Sequence, residues 1–108
     1  MELLRVGALP EGALAAAADF HARILPSILA SRGQDLIIVF PPADHTHRGW
    51  RRAVVQDLAR MAAPLRVNAV ASQDEAAIAA ACLWLAGAPG VTGQLLQLDS
   101  QGAGKVIP

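Results

Sequence analysis

Leu36-Ile37-Ile38-Val39-Phe40 is apolar at every position and is closed by Pro41-Pro42. A strand with one wet face alternates apolar and polar residues. A strand without alternation needs cover on both faces, which is the place of an inner strand in a parallel α/β sheet. Upstream, Leu3 to Val6 reads as a short first strand ended by Gly7 and Pro10. Glu11 to Leu29 reads as a helix, with Phe20, Ile24 and Ile28 on one stripe and Leu14, Ala18, His21 and Leu25 beside it. Pro26 should kink or tighten its last turn, and Ser31-Arg32-Gly33 should stop it. Downstream, a polar loop from Ala43 to Gly49 leads into a second helix from about Trp50 to Ala63, whose buried face is Trp50, Val54, Leu58 and Met61. Pro64 stops it. Leu65 to Ala71 reads as a third strand, and Ser72 or Asp74 caps a third helix running to about Ala86. Gly87 to Gly90 is a turn, and Gly93 or Gln94 to Leu98 a fourth strand. The tail from Gly102 to Pro108 reads as flexible. Strands alternating with helices over short loops predict one Rossmann-like α/β domain over residues 1–108, a half-domain of about four parallel strands alternating with three helices.

Of the 108 residues, 54% are hydrophobic and 17% charged, and the formal net charge is zero. A domain this small buries a limited share of its surface, so the apolar excess predicts a face covered by a partner. Zero net charge argues against broad electrostatic binding to nucleic acid or to an anionic membrane. Cys82 is the only cysteine, which excludes a disulfide framework or a cysteine metal site; it reads as a small core residue. No stretch approaches the roughly 20 apolar residues of a membrane span. The alanine run Ala13–Ala18 lies in an amphipathic helix, not in a signal-peptide core. A cytoplasmic protein is expected.

Leu58-Ala59-Arg60, then Arg66-Val67-Asn68-Ala69-Val70-Ala71, then Ala76 to Leu85, Val91-Thr92-Gly93-Gln94 and Leu98-Asp99 stand in order with compatible spacing. Together they resemble the last helices and last two strands of the short-chain dehydrogenase/reductase family. Phe20 and Ile24-Leu25-Pro26 ahead of Leu36–Phe40 are a looser match. The resemblance runs from the first strand to Asp99 and covers the C-terminal half of that fold. It implies a truncated member, without the first three strands and the glycine-rich turn that holds the dinucleotide pyrophosphate. The chain has no tyrosine, so the family's Tyr-x-x-x-Lys pair is absent. Aligning the second helix places Arg48 at the tyrosine and Arg52 at the lysine. Pro41 and Pro42 stand where a serine would follow Phe40, and Ser72-Gln73 leads straight into the next helix where the family has a substrate loop. No catalytic residue, no cofactor and no metal is therefore expected, nor hydride transfer by this chain alone.

In the resembling family, the helices matching Glu11–Leu29 and Trp50–Ala63 pack as a four-helix bundle between subunits. That implies association through Phe20, Ile24, Trp50, Val54 and Leu58, as a homodimer or with a full-length dehydrogenase homologue. No nucleic acid or membrane partner is expected. Topology adds a separate argument. Right-handed crossovers between strands taken in sequence order would put all three helices on one face. Leu36, Ile38 and Phe40 point one way, however, and Ile37 and Val39 the other, so both faces want cover. Either one helix takes the opposite face or another chain does. The first strand's outer edge is left unpaired as well.

Asp44-His45-Thr46-His47-Arg48-Gly49-Trp50-Arg51-Arg52 is the one unusual polar cluster. It follows the end of a parallel strand and opens a helix, the usual place for a site in α/β proteins. Three arginines at a helix start oppose its dipole, and helix starts and arginine forks both bind phosphate or carboxylate. This supports a second function class: a small anion- or nucleotide-binding, or enzymatic, domain using His45, His47, Arg48, Arg51 and Arg52. The simpler reading is that the arginines are solvated or paired with Asp44, Asp57 or a partner chain. Asp44, His45 and His47 can supply metal ligands from an extended loop, and a histidine can serve as acid or base. Asn68, Trp50, Trp84 and Thr92-Gly93 read as structural.

Overall fold

In the computed structural model, which describes residues 1–31 and 33–98 and the backbone of 106–107, the run Leu36–Phe40 is strand β2, buried at every residue. Strand β1 (Glu2–Arg5) pairs with it on one side and β3 (Val67–Ala71) on the other, both parallel, with Leu36 opposite Glu2 and Val67. Strand β4 (Leu95–Leu98) continues the parallel sheet beside β3. A short fifth strand, β5 (Val106–Ile107), closes it antiparallel to β4. The sheet order is β1-β2-β3-β4-β5. Four parallel strands in chain order agree with the sequence reading, and β5 is an addition within the segment read as a flexible tail. The remainder of that tail lies outside the described residues. β1 pairs only with β2, so its outer edge has no strand neighbour among the described residues.

The first helical arm is α1 (Ala13–Asp19), one π-helical turn (Phe20–Ile24) and α2 (Leu25–Ala30) in succession. Pro26 accounts for the wide turn. It has no N–H to donate four residues back and its ring crowds that carbonyl, so the preceding turn opens and the Leu25 N–H reaches the Phe20 carbonyl, five residues back. Proline thus loosens the helix here, where a kink or a tighter turn is the simpler expectation. After β2 a 3-10 turn (His45–His47) leads into α3 (Arg48–Ala62), and α4 (Glu75–Ala86) follows β3. Asp74 caps α4 by accepting from the N–H groups of Ala76 and Ala77, and Ser72 Oγ accepts from the Asp74 N–H.

The non-alternating β2 serves two cores. Leu36, Ile38 and Phe40 pack with Phe20 and Ile28 of the arm and Val54, Val55, Leu58 and Ala59 of α3. Ile37 and Val39 pack with Val70, Leu98 and the Ala77, Ile78, Ala81 and Leu85 side of α4. Each fully buried aliphatic side chain contributes about 1.5–3 kcal/mol, so both faces favour closure. Of the two possibilities for the second face, the chain uses its own helix. All three parallel crossovers step the same way across the sheet. A connector on the opposite face therefore has the opposite hand from the two before it, and uniform handedness fails at α4. Ala77 and Ala81 bring only methyl groups to that contact, letting α4 approach closely. Leu83 and Trp84 stand on its outer side, 77% and 56% exposed. Cys82 is only half-buried, and burial pushes its thiol pKa up.

The expectation that no stretch reaches membrane-spanning length needs correction. Ala13–Ala30, continuous through the π turn, meets the length and has a mean hydropathy of 1.2. In this fold the arm lays Ala16, Phe20 and Ile28 into the core.

Candidate functional site

The polar loop sits where β1 and β2 end. A cavity of about 400 Å³ opens there between the segments after the two strands, lined by Leu9, Pro10, Glu11, Pro42, Asp44, His47 and Arg51 among others. Helical geometry sorts the loop's side chains. His47, Trp50, Arg51 and Val54 fall at i, i+3, i+4 and i+7, the inward stripe of one helix face. Arg48, Gly49 and Arg52 stand off that stripe and are exposed. Among the described residues, His45, Arg48 and Arg52 make no side-chain hydrogen bond or ion pair. The five residues grouped by sequence are thus divided, with His47 and Arg51 inward and His45, Arg48 and Arg52 outward.

His47 is 4% exposed and holds two segments together. The Trp50 indole Nε1–H donates to its Nδ1 at 3.2 Å, so the proton lies on Nε2, which donates to the Glu11 carbonyl at 2.8 Å. With both ring nitrogens engaged inside the chain, His47 has no lone pair to offer a metal. Asp44 is occupied at the turn: one carboxylate oxygen accepts from the Thr46 N–H at 2.9 Å and from the Thr46 hydroxyl. These bonds from Thr46 hold its pKa below the ordinary carboxylate value. Among the described residues there is no group of three or more metal-ligating side chains.

Arg51 is the unusual member. It is 2% exposed, lies with its guanidinium carbon 4.6 Å from the centre of the Phe40 ring and 5.7 Å from that of Trp50, and donates from Nη1 to the Pro41 carbonyl at 2.8 Å. Its Nε is buried and has no acceptor among the described residues. Desolvation lowers its pKa to about 10, so it stays charged at neutral pH. The sequence treats the three arginines as equivalent. The signal separating them is the position of Arg51 on the stripe shared with His47 and Val54.

A second feature is a groove between the arm and α3, also of about 400 Å³, walled by Leu25, Trp50, Ala53, Val54 and Leu58 with His21 and Asp57 at its edge. Of the five residues expected at an interface, Phe20 is fully buried in the chain's own core and Val54 and Leu58 nearly so. Ile24 and Trp50 are partly exposed. Leu14, on the same arm, is 87% exposed.

The Arg66–Ala71 and Val91–Leu98 stretches meet in the sheet. Asn68 bonds both sides of the turn before β4, and Thr92 Oγ1 accepts from the Val67 N–H at 3.0 Å. Arg66 ties its guanidinium to Asp35 and to the Leu85 and Ala88 carbonyls at the end of α4. A family model described as short chain dehydrogenase-like protein matches residues 4–98. Comparison with curated proteins and with solved structures gave no match. The match runs from within β1 to the end of β4 with every helix between them, and the chain belongs to the short-chain dehydrogenase-like family.

Proposed function

We propose that this member of the family acts by association and not by hydride transfer, and that the face made by the 13–30 arm and α3 receives a second copy of the chain. The apolar groove between the arm and α3 carries this reading. In short-chain dehydrogenases the matching helices meet across the subunit boundary. Here the groove keeps an apolar lining where a monomer would favour polar side chains. The arm of 18 residues is roughly 27 Å long. Beside α3 it offers a face that can supply much of the roughly 800 Å² per partner found in stable dimers. Beside the groove, Asp19 pairs with Arg23 on the arm and Asp57 with Arg60 on α3, so these charges are neutralised within each helix. The absence of tyrosine, with Arg48 and Arg52 turned outward, supports a reading without the family's acid–base pair.

Size-exclusion chromatography with light scattering tests the proposal. The expected particle has twice the 11.2 kDa of one chain, and Ala53→Glu, at an exposed groove position, halves it without changing the circular dichroism. A monomer at micromolar concentration overturns the homodimer. A monomer that forms a one-to-one complex with a full-length homologue, lost with Ala53→Glu, assigns the same face to that partner instead.

A further inference from the structure

We propose that the cavity at the ends of β1 and β2 binds a small monocarboxylate, with Arg51 as its anchoring cation. This rests on the cavity alone and does not depend on the association proposed above. Removing a guanidinium from water is costly unless an anion or a full set of acceptors replaces its hydration. Arg51 is buried and, among the described residues, forms no ion pair and leaves Nε without an acceptor. The ring of Phe40 below it and the Pro41 carbonyl hold the guanidinium in place. A side chain held, charged and short of an acceptor on the wall of a cavity of about 400 Å³ suits an anion anchor, and because Nε is closed to solvent, binding requires a small shift of the guanidinium toward the cavity.

The rest of the wall selects the class of anion. Leu9, Pro10 and Pro42 give it apolar surface, which suits a ligand with a short hydrocarbon body. Glu11 and Asp44 line the same cavity, and their charges oppose a doubly charged phosphate more strongly than a singly charged carboxylate. The position, outside the carboxyl ends of adjacent parallel strands, is where open α/β sheets bind small molecules.

Titration of the ¹⁵N-labelled protein with sodium butyrate, against sodium chloride and inorganic phosphate at matched ionic strength, tests this. The Arg51 Nε–H signal, assigned by triple-resonance spectra, is expected to move saturably with butyrate, with a rise of several degrees in Tm. Chloride should reproduce neither effect, and phosphate should bind at least tenfold more weakly. Arg51→Met, which keeps a flexible apolar stem on Phe40, should fold and bind butyrate at least tenfold more weakly. An Nε–H signal unmoved by butyrate overturns the proposal, as does wild-type butyrate affinity in Arg51→Met. Phosphate binding tighter than butyrate overturns the monocarboxylate class. Should Arg51→Met not fold, the titration of the wild-type Nε–H signal decides the question by itself.

Discussion

Asn68 Oδ1 accepts the backbone N–H of Gln94 at 3.0 Å while its Nδ2 donates to the Val91 carbonyl at 3.0 Å, so one buried amide closes both sides of the turn ahead of β4. The sheet alone does not do this. The turn residues lie past the end of the β3–β4 ladder, where the backbone bonds come down to Gly93 N–H to Val67 carbonyl and Ala69 N–H to Gln94 carbonyl. Asn68→Ala leaves a partly buried donor and acceptor unpaired, and we expect a loss of about 2 kcal/mol in urea unfolding. Asn68→Asp keeps the acceptor for Gln94 but turns an oxygen toward the Val91 carbonyl, and should lose at least as much. Wild-type stability in either variant would show that water replaces the side chain at no cost.

Gly93 in the same turn has φ +75°, a left-handed conformation in which a Cβ meets the carbonyl oxygen. An added Cβ would sit 3.5 Å from that of Ala59, an ordinary contact, so backbone strain alone sets the penalty. Gly93→Ala is expected to lose about 1 kcal/mol, reduced somewhat by the stiffer unfolded chain. Gly93→Asn, which enters this region more readily, should lose less than half of that. Thermal unfolding of the two variants side by side checks the order, and equal losses would point to crowding rather than strain.

Asp35 and Arg66 give the fold a dependence on acid. The Asp35 carboxylate accepts from the Arg66 backbone N–H at 2.8 Å and from its Nε at 2.9 Å, and these bonds, the backbone one foremost, hold its pKa below the ordinary value. The unfolded chain therefore binds a proton at a pH where the folded chain does not. The stabilisation is complete above the unfolded pKa of about 3.9 and is lost as pH falls through the lower folded value. Urea midpoints between pH 2 and pH 6 should fall on the acid side of about pH 4. Asp35→Asn should make that acid limb shallower without flattening it, because Asp19 and Asp44 are lowered too. An unchanged acid limb in Asp35→Asn would remove Asp35 as a cause.

The strand and helix order was readable because β2 lacks alternation and because Pro41, Pro64 and Asp74 mark where elements start or stop. The placement of α4 was not readable. The preference for one crossover hand is a rule about chain paths, and here two facing apolar surfaces, Ile37 with Val39 and Ala77 with Ala81, override it. The π turn at Phe20–Ile24 needed knowledge of how the N–H groups ahead of Pro26 would re-pair, as that of Leu25 does with the Phe20 carbonyl. In the site, composition located the loop but could not sort it. Whether an arginine faces water or the interior depends on the phase of α3, and that phase is fixed by Val54 and Leu58 meeting the sheet.

That phase leads to a last prediction. Arg48 and Arg52 are exposed and make no side-chain bond among the described residues, so Arg48→Ala with Arg52→Ala should change stability by no more than about 0.5 kcal/mol. Arg51→Ala removes the stack on Phe40 and leaves the Pro41 carbonyl without its donor, and should lose about 2 kcal/mol. Arg51→Met restores the packing and removes a buried charge that has no counter-ion among the described residues. In the absence of ligand it should be at least as stable as the wild type. Chemical denaturation of the three variants at neutral pH gives the ranking. Equal losses in Arg51→Ala and in Arg48→Ala with Arg52→Ala would mean that the arginines act together through the charge of the loop, and the division into an inward and an outward set would not be what governs them.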